Sequence, residues 1–211
     1  PDVYGSARLA GAAPAMREHL DRTVLPFAYL FPPILGALAL AMEPAMALAL
    51  PRYLPAASAA RVFIFSAAAG GITTLGAIGV VATGRQRALP VLSAIALAIN
   101  VSCSMLALQR GAGLAVVAGG ALLAQATIAA GVLAILGAQA TQQRAIALVL
   151  KGMLPIAWCV ASVLLLSHLY DPRTLGGGVK SLGTYLLLLI PISPLMASGF
   201  RSARGELVAS E

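Results

Sequence analysis

RVFIFSAAAGGITTLGAIGVVATGRQRALPVLSAIALAINVSCSMLALQRGAGLAVVAGGALLAQATIAAGVLAILGA, residues 61–138, decides the class of this chain. An apolar run from Val62 to Ala82 leads into a basic hinge, Thr83-Gly84-Arg85-Gln86-Arg87. A second run from Leu89 to Leu108 ends at the turn Gln109-Arg110-Gly111, and a third extends from Leu114 to Leu136. At about 1.5 Å of rise per residue, each run is long enough to cross the hydrocarbon of a bilayer as a helix. Asn100, the one asparagine of the chain, sits near the middle of the second run and Gln125 lies inside the third. A polar side chain without a partner is costly there, which makes both candidate functional positions.

Composition agrees. Of 211 residues, 60% are hydrophobic and 10% charged, and the mean hydropathy is +0.92; soluble domains carry about 25% charged residues. The chain reads as an all-α integral membrane protein. Its net charge of +7 comes from basic residues scattered singly and in pairs between apolar runs. With no basic face and no aromatic platform, nucleic acid is excluded as a partner, and the cations read as topology determinants and phosphate contacts. Cys103 and Cys159 both lie in apolar runs, where a thiol packs as a small hydrophobe. The chain opens at Pro1 with neither methionine nor a signal-peptide pattern, which points to a processed chain or a piece of a longer one.

In chain order, residues 1–23 form a polar lead-in with Leu9, Ala13, Met16 and Leu20 at helical spacing, read as an amphipathic surface helix or a solvated linker. A core of four spans follows over 24–138. Its first span runs from about Val24 to Met42, is expected to kink or stagger at Pro26, Pro32 and Pro33, and stops at Glu43-Pro44. Residues near 45–55 then form a re-entrant or interfacial segment with Tyr53 at headgroup level. The span that opens at Arg61 carries Ser66, Gly70 and Thr74 at intervals of four, a small-residue strip of the kind through which helices pack in lipid. Residues 139–211 hold two further spans, Met153–Leu169 and Leu182–Phe200, separated by a loop containing Gly176-Gly177-Gly178, and a polar tail.

About six spans put both ends of the chain on one side. With cytoplasmic ends, nine of the fourteen Lys and Arg residues (Arg8, Arg17, Arg22, Arg85, Arg87, Arg144, Lys151, Arg201, Arg204) are inside; Arg52, Arg61, Arg110, Arg173 and Lys180 are outside. The excess obeys the positive-inside rule.

Catalysis is not expected. Acid–base or metal-assisted chemistry needs converging carboxylates or His/Cys clusters, whereas the seven acidic residues fall near segment ends and His19 and His168 lie towards opposite ends of the chain. There is no phosphate-loop motif and no nucleophile elbow. No cofactor, metal ligand or catalytic residue is assigned. His19 reads as a solvated surface residue and His168 as an interfacial anchor.

The succession Leu50-Pro51-Arg52-Tyr53-Leu54, Arg61 with its glycine-rich span, Ala82-Thr83-Gly84-Arg85-Gln86-Arg87, the span with Asn100, and Arg110-Gly111-Ala112-Gly113-Leu114 resembles the C-terminal half of bacterial O-antigen and exopolysaccharide flippases. These belong to the multidrug/oligosaccharidyl-lipid/polysaccharide exporter superfamily. The resemblance spans about Val24 to Leu136. It implies one helical bundle of a two-bundle transporter in the bacterial inner membrane, with an N-terminal bundle missing from this chain. It further implies alternating-access flipping of polyprenyl-pyrophosphate-linked oligosaccharide, with Arg52, Arg61, Asn100 and Gln125 as the substrate-binding residues and membrane lipids as surroundings. The chain departs from the pattern in having no Arg or Lys in the middle of a span. Two alternatives stay open: a multidrug cation antiporter of the same superfamily, which needs a buried acid, and a non-transporting membrane subunit of a larger complex.

Overall fold

The structure, a computed structural model, describes residues 23–138, 142–170 and 174–194. They are helical, with no strand among them. Helices α1 (Leu25–Ala49), α2 (Ala57–Ala82), α3 (Ala88–Gln109), α4 (Leu114–Ala138) and α5 (Gln142–Leu169) are each long and apolar enough to cross a membrane. α6 (Leu175–Leu188) has only 14 residues and is followed by a 3-10 turn, Ile190–Ile192. The lead-in, the tail and Arg173 lie outside the described residues, together with the readings made of them.

Two expectations are corrected. α1 does not stop at Glu43-Pro44; it continues through Pro44 to Ala49, so residues 45–49 complete a span instead of re-entering the membrane. Proline lacks the N–H that would bond the carbonyl four residues back, but its φ is already helical, and the apolar residues after it carry the helix on. The connection to α2 is then a 3-10 helix, Pro51–Ala56. The last helix begins at Leu175, seven residues before the expected Leu182, because Thr174 caps it. The Thr174 hydroxyl accepts from Gly177 N at 3.0 Å, which draws the three glycines into the first turn.

The two short turns were legible. At Gly84 (φ 71°) the Gly84 N–H bonds Val81 O at 2.9 Å and the Arg85 N–H bonds Val80 O at 3.1 Å. At Gly111 (φ 64°) the Gly111 N–H bonds Leu108 O at 3.0 Å and the Ala112 N–H bonds Ala107 O at 2.8 Å. Both are Schellman caps, in which a left-handed residue lets the last carbonyls be satisfied locally, and glycine takes that conformation without a Cβ clash.

The helices pack as one bundle. α2 and α4 pack most extensively, α1 lies against α2 and α5, α6 closes on α1 and α5, and α3 packs chiefly on α4. Small residues allow this: Ala68 and Ala69 of α2 are fully buried, and a Cβ on Gly76 would stand 2.5 Å from Val132 Cγ1 of α4. In lipid, close van der Waals packing of this kind supplies the association that hydrophobicity cannot. Ser66, Thr73 and Thr74 bond carbonyls of their own helix; of the expected strip Ser66 is buried, whereas Thr74 is exposed and a Cβ on Gly70 would meet nothing within 4 Å, so the close packing runs beside the strip and not along it. One core cluster centres on Ile72, Val80, Val132 and Leu133. A second gathers Leu40, Phe65, Cys159, Val163 and Tyr185, where the Tyr185 hydroxyl donates to Pro33 O at 3.2 Å.

Candidate functional site

Glu43 lies six residues before the end of α1 and Arg61 five residues into α2. The hairpin formed by these helices brings them level, and Arg61 Nη2 pairs with Glu43 Oε1. The two side chains are only 11% and 13% exposed. Glu43 Oε2 and Arg61 Nε are buried and make no hydrogen bond among the described residues. The pair therefore meets through one edge of the guanidinium and leaves donor and acceptor capacity unused, where a bidentate fork would have used both carboxylate oxygens.

This pair forms part of the wall of a cavity of about 780 Å³ among α1, α2, α4 and α5. Apolar lining comes from Val62, Phe65, Leu122, Val160, Val163 and Leu164; Ser58, Ser167, His168 and Tyr170 supply the other polar groups. Tyr170 is fixed to α6 by a 3.2 Å hydrogen bond between its hydroxyl and that of Thr184, and Ser167 donates to Leu164 O at 2.8 Å. All these residues lie at the bundle end that holds the α1–α2 and α3–α4 connections. The second core cluster lies against it, with Phe65 and Val163 shared by cavity and core.

Of the four residues singled out in the sequence, Arg61 alone lines this cavity. Arg52 is exposed on the 3-10 connection. Asn100 is half-buried on the α3–α4 interface, where its Oδ1 would be 3.4 Å from a Cβ on Gly120; Cys103 approaches the same glycine. Gln125 is half-buried on α4, at helical spacing from Leu122 and Ala129. Asn100 thus belongs to the α3–α4 packing surface. Glu43 was missed because Pro44 was read as the helix stop, which would have left the carboxylate at a water-exposed end. A usable signal was present: six apolar residues follow Pro44, so the acid falls within one long apolar stretch. His168, read as an anchor, stands on the cavity rim, exposed.

The arrangement is suited to holding an amphiphile: apolar walls for a chain or ring system and one ion pair for a charged head. The chain is a multi-pass helical membrane protein by the length and apolarity of its helices. No protein-family model, curated protein or solved structure matches it.

Proposed function

We propose that this bundle is half of a transporter that moves a polyprenyl-pyrophosphate-linked oligosaccharide across the bacterial inner membrane by alternating access. The observation that carries this reading is Arg61, held nine-tenths buried on the wall of an apolar cavity. Guanidinium matches phosphate geometry, and a cation in a low-dielectric cavity attracts an anionic head group far more strongly than one in water. The resemblance of residues 24–136 to polysaccharide flippases points the same way. Substrate would pass at the interface with a second bundle, since alternating access rocks one bundle against another.

Reconstitution tests it. In liposomes containing a fluorescent polyprenyl-pyrophosphate glycan, the chain alone should flip no more lipid than empty vesicles, and adding a separately expressed N-terminal bundle should restore flipping. Flipping by the chain alone would remove the need for a second bundle, and inactivity of the pair would remove the substrate.

Glu43 favours one second reading. A buried carboxylate in the same cavity is what an organic-cation antiporter requires, and uptake of tetraphenylphosphonium driven by a proton gradient would select it.

The charge count supports placing the hinge at Arg85 and Arg87 in the cytoplasm and the cavity end outside. A cysteine introduced at Gln86 should then resist a membrane-impermeant thiol reagent on whole cells while one at Ala112 reacts; the reverse pattern would invert the protein.

A further inference from the structure

The ion pair raises a difficulty for the proposed function, on which this inference rests. Bilayer phospholipids outnumber any lipid-linked glycan, carry phosphate themselves, and would fill this cavity if Arg61 stood free. Arg61 does not stand free. Glu43 already occupies it, through a single edge, with Arg61 Nε and Glu43 Oε2 both left without a hydrogen bond among the described residues.

We propose that Glu43 sets the selectivity of the cavity by standing in for the head group: its carboxylate holds Arg61 until an anion bearing more than one negative charge displaces it. Coulomb energy falls as the inverse of distance. When a singly charged phosphodiester replaces the carboxylate, one contact attraction is exchanged for another of the same size. Its repulsion of the displaced carboxylate cancels what attraction remains between that carboxylate and Arg61. Nothing is gained. A pyrophosphate doubles the attraction at contact, while the added repulsion acts over the larger distance to which the carboxylate has moved, so the exchange becomes favourable. Arg61 Nε, which Glu43 leaves unbonded, is a donor that the incoming oxygens can take as the carboxylate moves aside. The released carboxylate stays within a cavity that also presents the Ser58 hydroxyl and the His168 imidazole, the other titratable side chain beside Tyr170 on that wall. With a competitor installed on Arg61, the wrong ligand meets a cost that the right one overcomes.

The test compares binding of farnesyl pyrophosphate to the wild-type chain and to Glu43→Gln, each in nanodiscs of phosphatidylcholine and in nanodiscs containing half phosphatidylglycerol. The readout is the ratio of the two proteins' affinities, which cancels surface repulsion common to both. In phosphatidylcholine, Glu43→Gln should bind at least about tenfold more tightly, because no competitor has to leave. In phosphatidylglycerol the ratio should fall to within about twofold of one, because the lipid's own phosphodiester now fills Arg61 of the variant. Inorganic pyrophosphate, tested as a competitor, separates head group from tail: it should bind more weakly than the farnesyl ester to both proteins yet gain by a similar factor in Glu43→Gln. A ratio of one in phosphatidylcholine, or an equal gain in both lipids, would overturn the proposal while leaving the transport reading in place. Absence of farnesyl pyrophosphate binding to either folded protein would remove the anionic site itself, and the proposal with it. If Glu43→Gln does not yield folded protein, Glu43→Asp, whose shorter carboxylate still competes but holds Arg61 more weakly, should show the same pattern at smaller amplitude, and no gain over the wild type in phosphatidylcholine would overturn the proposal.

Discussion

Arg61→Ala should be among the most damaging single substitutions in this bundle. It removes the partner of a carboxylate that is 13% exposed and leaves that charge unpaired in the protein interior. Breaking a buried pair by deleting one member costs about 3–5 kcal/mol. The same charge removed together with its partner is far less costly, so Arg61→Met combined with Glu43→Leu should recover most of the lost stability. Thermal unfolding in nanodiscs, followed by circular dichroism, reads both. Arg61→Lys keeps the charge, and should melt near the wild type while losing the planar fork that phosphate recognition would use. Equal melting of Arg61→Ala and the wild type would mean that the pair contributes nothing and that Glu43 finds another partner.

Gly137→Ala should also be severely destabilising, for a steric reason. A Cβ at this position would lie 2.5 Å from Ala145 Cα, 2.9 Å from Ala145 N and 3.1 Å from Arg144 O. All three are backbone atoms near the start of α5, so no side chain can turn aside; α4 and α5 must spread where they meet. Overpacking of this kind costs about 1–3 kcal/mol, occasionally more. Gly70→Ala provides the control, because a Cβ there meets nothing within 4 Å and alanine is the better helix former by about 1 kcal/mol. The variants should therefore shift the melting temperature in opposite directions. A Gly137→Ala protein as stable as the wild type would show that the α4–α5 junction is looser than its geometry.

The sequence carried more of the fold than of the site. Apolar run length predicted α2, α3 and α4 to within a few residues, and Gly84 and Gly111 were readable as turns because a left-handed cap calls for glycine. Proline misled at Pro44. The rule that it ends helices concerns chains that can bond water instead, whereas in an apolar stretch the alternative to continuing is an exposed backbone in lipid. At Thr174 the glycine run outweighed a capping signal that was present. The cavity was less legible for another reason. Arg61 was visible as a lone cation at the head of a span, but its partner lies on the preceding helix, and only the α1–α2 hairpin brings the two together. Asn100 and Gln125 drew attention as amides inside apolar runs, and position along a run does not tell a residue on a helix interface from one on a cavity wall.

The same hairpin bears on how the protein enters the membrane. Residues emerge in order, so α1 reaches the insertion machinery with the Glu43 carboxylate uncompensated, and Arg61 follows about twenty residues behind. An isolated charge at the centre of an inserting helix costs about 2.5–3.5 kcal/mol, falling towards the ends. Neither helix needs to bear that cost alone if both enter as one hairpin, the acid neutralised by the base before either meets lipid. The shortness of the connection, six residues of 3-10 helix, keeps the two charges within reach of each other throughout that passage.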